Sequence, residues 1–179
     1  MQGPIVRMTF CICLVAAGAT IAAATNTSAP APEIAIPALW VELDENWNER
    51  NAHGFSEVFT ADADLQFVDA GLTLAGRRNI LQHFSDQFPT FPPDIRHETS
   101  VTRIHALAKN LRAVDATVRI LRSAEDEATV LRTYSLFAVM LELPEGWRIH
   151  VLRAYLLPAE PKSGATINSA TTPSTRAGP

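Results

Sequence analysis

The 179-residue chain predicts an α+β domain, and three observations carry that expectation. Segments with helical apolar spacing come first, long alternating segments rich in β-branched and aromatic residues come last, and Pro- or Gly-centred turns separate them. Helices followed by a run of strands argue for α+β, where strict alternation of the two would argue for a doubly wound parallel sheet. Hydrophobic residues make up 47% of the chain, enough for a real core, which excludes wholesale disorder. No internal repeat is visible.

The elements follow in order. Leu39, Leu43 and Trp47 fall at i, i+4 and i+8 as one apolar stripe, with Glu42, Asp44, Glu45 and Glu49 expected to point elsewhere. Asn51 suits the N-cap of a short second helix whose Phe55, Val58 and Phe59 share a face. Residues 62–69 alternate as a strand around Leu65 and Phe67, and Ala70-Gly71 turns into a short strand over 72–74. Gly76 opens a third helix with Ile80, Leu81, Phe84 and Phe88 on one side, ended by Pro89, Pro92 and Pro93. Four long strands then follow, over 95–107, 111–121, 129–143 and 147–157, the last two joined by a Pro144-Glu145-Gly146 turn. On the second of these, Val114, Ala116, Val118 and Ile120 share a face.

The ends read differently. Arg7 followed by an apolar run over 8–24, closing on Ala22-Ala23-Ala24, has the plan of a signal peptide, so residues 1–24 are expected to be removed on export to the periplasm or outside. An uncleaved membrane anchor is the alternative, although the run sits at the short limit for spanning about 30 Å of hydrocarbon. Residues 25–37, with Pro30, Pro32 and Pro37, read as a flexible linker, and residues 159–179, rich in Pro, Ser, Thr and Gly, as a disordered tail. The domain is therefore placed at 38–158. The two cysteines, Cys11 and Cys13, both lie in the leader, which leaves the mature chain without disulfide, thiol nucleophile or thiolate metal site. A net charge of −4 with no basic run gives nucleic acid no electrostatic reason to bind.

Several short segments, in this order and spacing, resemble the nuclear transport factor 2-like superfamily, and within it the SnoaL-like and SgcJ/EcaC-like small proteins. They are Trp47-Asn48-Glu49-Arg50-Asn51-Ala52, Phe59-Thr60-Ala61-Asp62-Ala63-Asp64, Gly76-Arg77-Arg78-Asn79-Ile80, Arg96-His97-Glu98, Val114-Asp115 and Gly146-Trp147-Arg148-Ile149. The resemblance spans residues 38–158. It implies a cone-shaped, curved antiparallel sheet wrapped on three N-terminal helices, the cystatin-like fold, with one apolar cavity inside and an outer sheet face free to pair with a second subunit. A homodimer is therefore expected, and apolar residues on both faces of the long strands fit that double burial. The fold does not specify an activity, since it hosts isomerases, cyclases, epoxide hydrolases, dehydratases and non-catalytic binders.

Two residues stand out for acid–base chemistry. Asp69 ends the first strand among Phe67, Val68, Ala70 and Leu72, near the place where the resemblance puts the general base of ketosteroid isomerases; its structural alternative is to start the turn. His97 shares a strand face with Thr99, Val101 and Arg103, and in SnoaL-like relatives an Arg-His pair at this position contributes to the pocket. Trp47, Asp115, Arg132, Tyr134 and Tyr155 complete the expected substrate-binding set. Asp115 is placed to pair with His97 or Arg103, and Arg132 and Tyr134 share a face. Arg153 among Val151, Leu152 and Ala154 needs a partner that the sequence does not name.

The strand over 129–143 lacks the second, protonated aspartate of a ketosteroid isomerase, and no counterpart is found of the late aspartate of SnoaL-like cyclases or of an Asp-Arg-Asp set. No His-x-x-x-His, Gly-x-Ser-x-Gly or phosphate-cradling loop appears, and His83 with Asp86 is too little for a metal site. No cofactor or metal is expected. Two readings remain open: a cofactor-independent enzyme moving protons on a hydrophobic carbonyl compound, and a binding or dimerisation module without turnover.

Overall fold

The computed structural model describes residues 30–123 and 128–159. The leader over 1–24 and nearly all of the tail over 159–179 lie outside them. The order is α1 (Pro32–Asn48), α2 (Ala52–Glu57), β1 (Phe59–Phe67), β2 (Leu72–Ala75), α3 (Arg77–Gln87), a 3₁₀ turn (Phe88–Thr90), β3 (Ile95–Ala108), β4 (Leu111–Arg122), β5 (Thr129–Leu143) and β6 (Gly146–Leu156). This is the α-α-β-β-α order followed by four long strands that the periodicity predicts.

The first helix starts inside the segment that reads as a linker. Pro32 stands in the first helical turn, where its missing N–H has no intrahelical partner to lose, and Glu33 beside it favours the positive end of the helix dipole. Pro37 lies within the helix and does forfeit a bond, a cost of about 3 kcal/mol. Against it stand Ile36 and Trp40, 0% and 2% exposed, each contributing roughly 1.5–3 kcal/mol by burial. Packing therefore overrides the proline signal, and Ile36 belongs to the core. Ile36→Ala should cost about 2–5 kcal/mol in urea denaturation, the range for a truncated core side chain. An unchanged midpoint would return residues 32–37 to the linker.

Asn51 caps α2 as its side chain accepts from Gly54 N at 3.0 Å, and the same side chain donates to Asn46 Oδ1 at 2.7 Å. That close approach requires glycine at 54, because a Cβ there would overlap the Asn46 side-chain amide. Phe59, expected on the second helix, instead begins β1. At the far end of β2, Gly76 with φ +84° turns the chain into α3. Phe55, Phe84 and Phe88, with Trp47, form an aromatic cluster that joins the three helices, the Phe55–Phe84 centroids lying 4.2 Å apart.

The six strands form one curved, unclosed sheet in the order β2-β1-β6-β5-β4-β3. All pairings are antiparallel but one: β1 runs parallel to β6, which the intervening strands make possible by supplying the long crossover a parallel pair needs. The concave face carries Val114, Ala116 and Val118 of β4, Leu136, Ala138 and Met140 of β5, and Trp147, Ile149, Leu152 and Ala154 of β6, all buried against the helices. Buried positions on β6 change parity between Ile149 and Leu152, where the β5–β6 register shifts. Arg153 finds its partner on β1, donating to Asp64 Oδ2 at 2.8 Å. No helix among the described residues is long and apolar enough to cross a membrane.

Candidate functional site

Between the helices and the concave face lies a cavity of about 650 Å³. Trp40, Leu43 and Trp47 wall it from α1, Phe55 from α2 and Phe84 from α3, while Val118, Ile120, Leu136, Leu152 and Ala154 wall it from the sheet. Its polar lining is sparse: His83 and Gln87 from α3, His97 from β3, Arg122 from β4, and Arg132 and Tyr134 from β5. A mostly apolar cavity with a few convergent polar groups is the ordinary form of a small-molecule site.

His97 is the most organised of these groups. β3 is an edge strand, so one row of its backbone donors and acceptors has no sheet partner. Helix α1 supplies partners at His97 and Thr99. Asn48 accepts from His97 N at 2.8 Å and donates to His97 O at 2.9 Å, and one turn earlier Asp44 Oδ2 accepts from Thr99 N at 2.6 Å. Asp44 Oδ1 then accepts from Thr99 Oγ1 and meets His97 Nδ1, both at 2.6 Å. An ionised carboxylate only accepts, so His97 carries a proton on Nδ1, and in the neutral ring Nε2 is the accepting nitrogen. The His97 and Asp44 side chains are 11% and 16% exposed. Trp47 lies over the imidazole, ring centroids 5.1 Å apart, and Phe91 stacks on Trp47 at 5.4 Å.

Arg50 braces this wall. It follows the C-cap of α1 with φ +60°, the left-handed turn that commonly ends a helix. Its guanidinium donates to the carbonyls of Trp47, Pro92 and Ile95 at 2.9–3.0 Å and lies 4.6 Å from the Trp47 ring centroid. Burial, and secondarily the charge of Arg96, holds its pKa below the ordinary arginine value.

The residues expected from sequence divide into two groups. His97, Trp47, Arg132 and Tyr134 all line the cavity. Asp69, Asp115 and Tyr155 do not. Asp69 lies at the surface just past β1, and its Oδ2 accepts from Leu156 N at 2.6 Å, so its side chain holds the end of β6 to the turn. Asp115 stands on the convex face opposite Phe137 of β5, away from His97, and among the described residues it enters no ion pair. Tyr155, 43% exposed, alternates with the cavity-lining Ala154 and projects from the convex face too.

Asp44 was expected to point away from the apolar stripe, and the structure corrects this. Taking Trp40, Leu43, Asp44 and Trp47 together at i, i+3, i+4 and i+7 puts the carboxylate on the buried face, a signal available in the sequence. Gln87 and Arg122 also enter the lining without a sequence signal that singles them out. Among the described residues no three His, Cys, Asp or Glu side chains gather where they could hold a metal ion.

A helix-backed curved sheet closing over one apolar cavity defines a class, the small pocket proteins of cystatin-like fold. More particularly, the chain has the fold of the nuclear transport factor 2-like superfamily. It is similar to a domain of unknown function with a cystatin-like fold from Nostoc punctiforme, with a TM-score of 0.62 and 26% identity over 72% of this chain and 78% of that one. An NTF2-like protein with a cystatin-like fold from Novosphingobium aromaticivorans superposes with a TM-score of 0.60 at 16% identity, covering 70% and 82%. A ketosteroid isomerase-like protein from Erwinia carotovora atroseptica does so at 0.55 and 11%, covering 69% and 95%. No family model and no curated protein matches the sequence.

Proposed function

We propose that the chain is an exported, cofactor-independent acid–base catalyst acting on a hydrophobic small molecule, with His97 as the proton-transfer group and Asp44 as the residue that orients it. The observation that carries this reading is the 2.6 Å His97–Asp44 contact at the wall of a mostly apolar cavity. An imidazole whose Nδ1–H is committed to a carboxylate presents Nε2 in one tautomer and one orientation, the arrangement a general base needs. Asp69 is given no part in this reading, because it lies outside the main cavity and its Oδ2 accepts from Leu156 N. The hydrophobic walls and Trp47 hold the apolar body, and Tyr134 offers a hydroxyl from the opposite strand region to a carbonyl oxygen.

The direct test uses 5-nitrobenzisoxazole, an apolar carbon acid that reports any positioned base. The base takes the ring C–H proton, the electron pair becomes part of a nitrile, and the N–O bond breaks to release a phenolate. Saturable turnover above buffer, competed by apolar ligands, supports catalysis. Turnover no faster than free imidazole leaves the cavity as a binding site only.

Export and dimerisation belong to the same reading. Export is supported by Arg7 and the apolar run over 8–24. Pairing is supported by Phe137 and Tyr155, 41% and 43% exposed on the convex face of the sheet. Native mass spectrometry of protein recovered from its own host should show a dimer of chains lacking residues 1–24. Monomers would remove the pairing, and chains retaining Arg7 the processing. An unaltered apolar ligand that co-purifies and is never turned over would favour the binding module.

A further inference from the structure

We infer that Arg132 is the anion-reading residue of this cavity, and that its ligands are amphipathic carboxylic acids: a flat apolar body with a carboxylate at one end. The inference deepens the proposed function and rests on the cavity being a ligand site. Strand register carries the argument. His97 pairs with Ile120 on β4, and Ile120 pairs with Arg132 on β5, so the three stand in one row across the sheet. All three line the cavity. Neighbouring strands are about 4.8 Å apart, which puts His97 and Arg132 about 10 Å apart with a hydrophobic side chain between them. A ligand laid along that row meets a proton-transfer group at one end, carbon in the middle and a guanidinium at the other.

The other cationic groups nearby are committed. Arg122, also at the cavity, is held by Asp94 at 3.2 Å, and Arg153 by Asp64 at 2.8 Å. Among the described residues Arg132 enters no ion pair. It stands where the main cavity meets a smaller cleft of about 220 Å³, and it lines both together with Tyr134. Asp69 also lines that cleft, but its Oδ2 is taken by Leu156 N. A guanidinium fork matches a carboxylate in two parallel bonds, and the Tyr134 hydroxyl adds a third donor from the same strand face.

The test compares 2-naphthylacetic acid with its primary amide, a neutral molecule of nearly the same shape, by isothermal titration calorimetry. The wild-type chain should bind the acid about tenfold tighter than the amide, the worth of one charge-assisted contact. In Arg132→Gln the two should bind alike, with the amide unchanged, which also shows that the variant is folded. Arg119→Gln, on the convex face of β4, should keep the preference. Equal binding of acid and amide by the wild type, or a preference that survives Arg132→Gln, overturns the role of Arg132 while leaving His97 chemistry untouched. If neither molecule binds, the cavity reading itself falls and this one with it.

Discussion

Replacing His97 with glutamine should lower turnover of 5-nitrobenzisoxazole by about 10²–10⁴-fold, the usual contribution of a positioned acid or base. Glutamine fills similar space, so the cavity wall and its contact with Trp47 stay closed, but no nitrogen remains that can take a proton. Asp44→Asn should cost less and in a different way. The carboxylate receives three donors, His97 Nδ1, Thr99 N and Thr99 Oγ1. An amide has one accepting oxygen, so its NH₂ must face at least one of them. The imidazole survives but loses its fixed tautomer. Stability should fall by about 1–3 kcal/mol as well, because a half-buried donor is left unpaired. A His97→Gln chain with the wild-type rate would end the acid–base reading, whatever the cavity binds.

How much of this is legible in the sequence depends on whether the deciding contacts are local. The element order is, because helical and strand periods are properties of neighbouring residues. The two faces of β4 are also legible as sets: Val114, Ala116, Val118 and Ile120 on one, Asp115, Thr117 and Arg119 on the other. Alternation does not say which set faces the helices. Bulges compound this, since the shift between Val139 and Met140 opposite β6 moves inward positions from odd to even residues. That is why Asp115 and Tyr155 were expected at the site and stand outside it, while Arg132 and Tyr134 were expected there and line it.

The active-site candidates show the same division. Asp69 in front of Ala70-Gly71 satisfies both the motif of a catalytic carboxylate and ordinary turn chemistry, and the distant N–H of Leu156 decides between them. Asp44 meets its three partners only because α1 docks along an unpaired strand edge more than fifty residues away in sequence. The carboxylate of the site therefore comes from the first helix and not from the first strand. The consequence is mechanical as well as chemical. The same helix that pairs with the edge of β3 at His97 and Thr99 also holds the imidazole, so the geometry of the proposed base depends on how α1 is held.

That dependence makes Trp47 the most consequential packing residue. Trp47→Ala should destabilise the fold by about 3–5 kcal/mol, a large share of the 5–15 kcal/mol that holds a domain of this kind. The side chain is 6% exposed and meets four neighbours at the His97 end of the wall: Phe88 edge-on at 5.8 Å, Phe91 stacked at 5.4 Å, His97 at 5.1 Å, and Arg50 above it. Its removal would merge the space it leaves with the existing cavity, so water can enter beside His97 and the Arg50 guanidinium loses its platform. Trp47→Phe keeps an aromatic face for Phe91 and should cost markedly less. Urea denaturation of the ligand-free chain is the deciding measurement, since a residue serving only as a substrate platform would leave the midpoint within about 0.5 kcal/mol of wild type. A large loss in Trp47→Ala with a small one in Trp47→Phe would show that the wall is built by packing first, and that ligands meet a surface the fold has already made rigid.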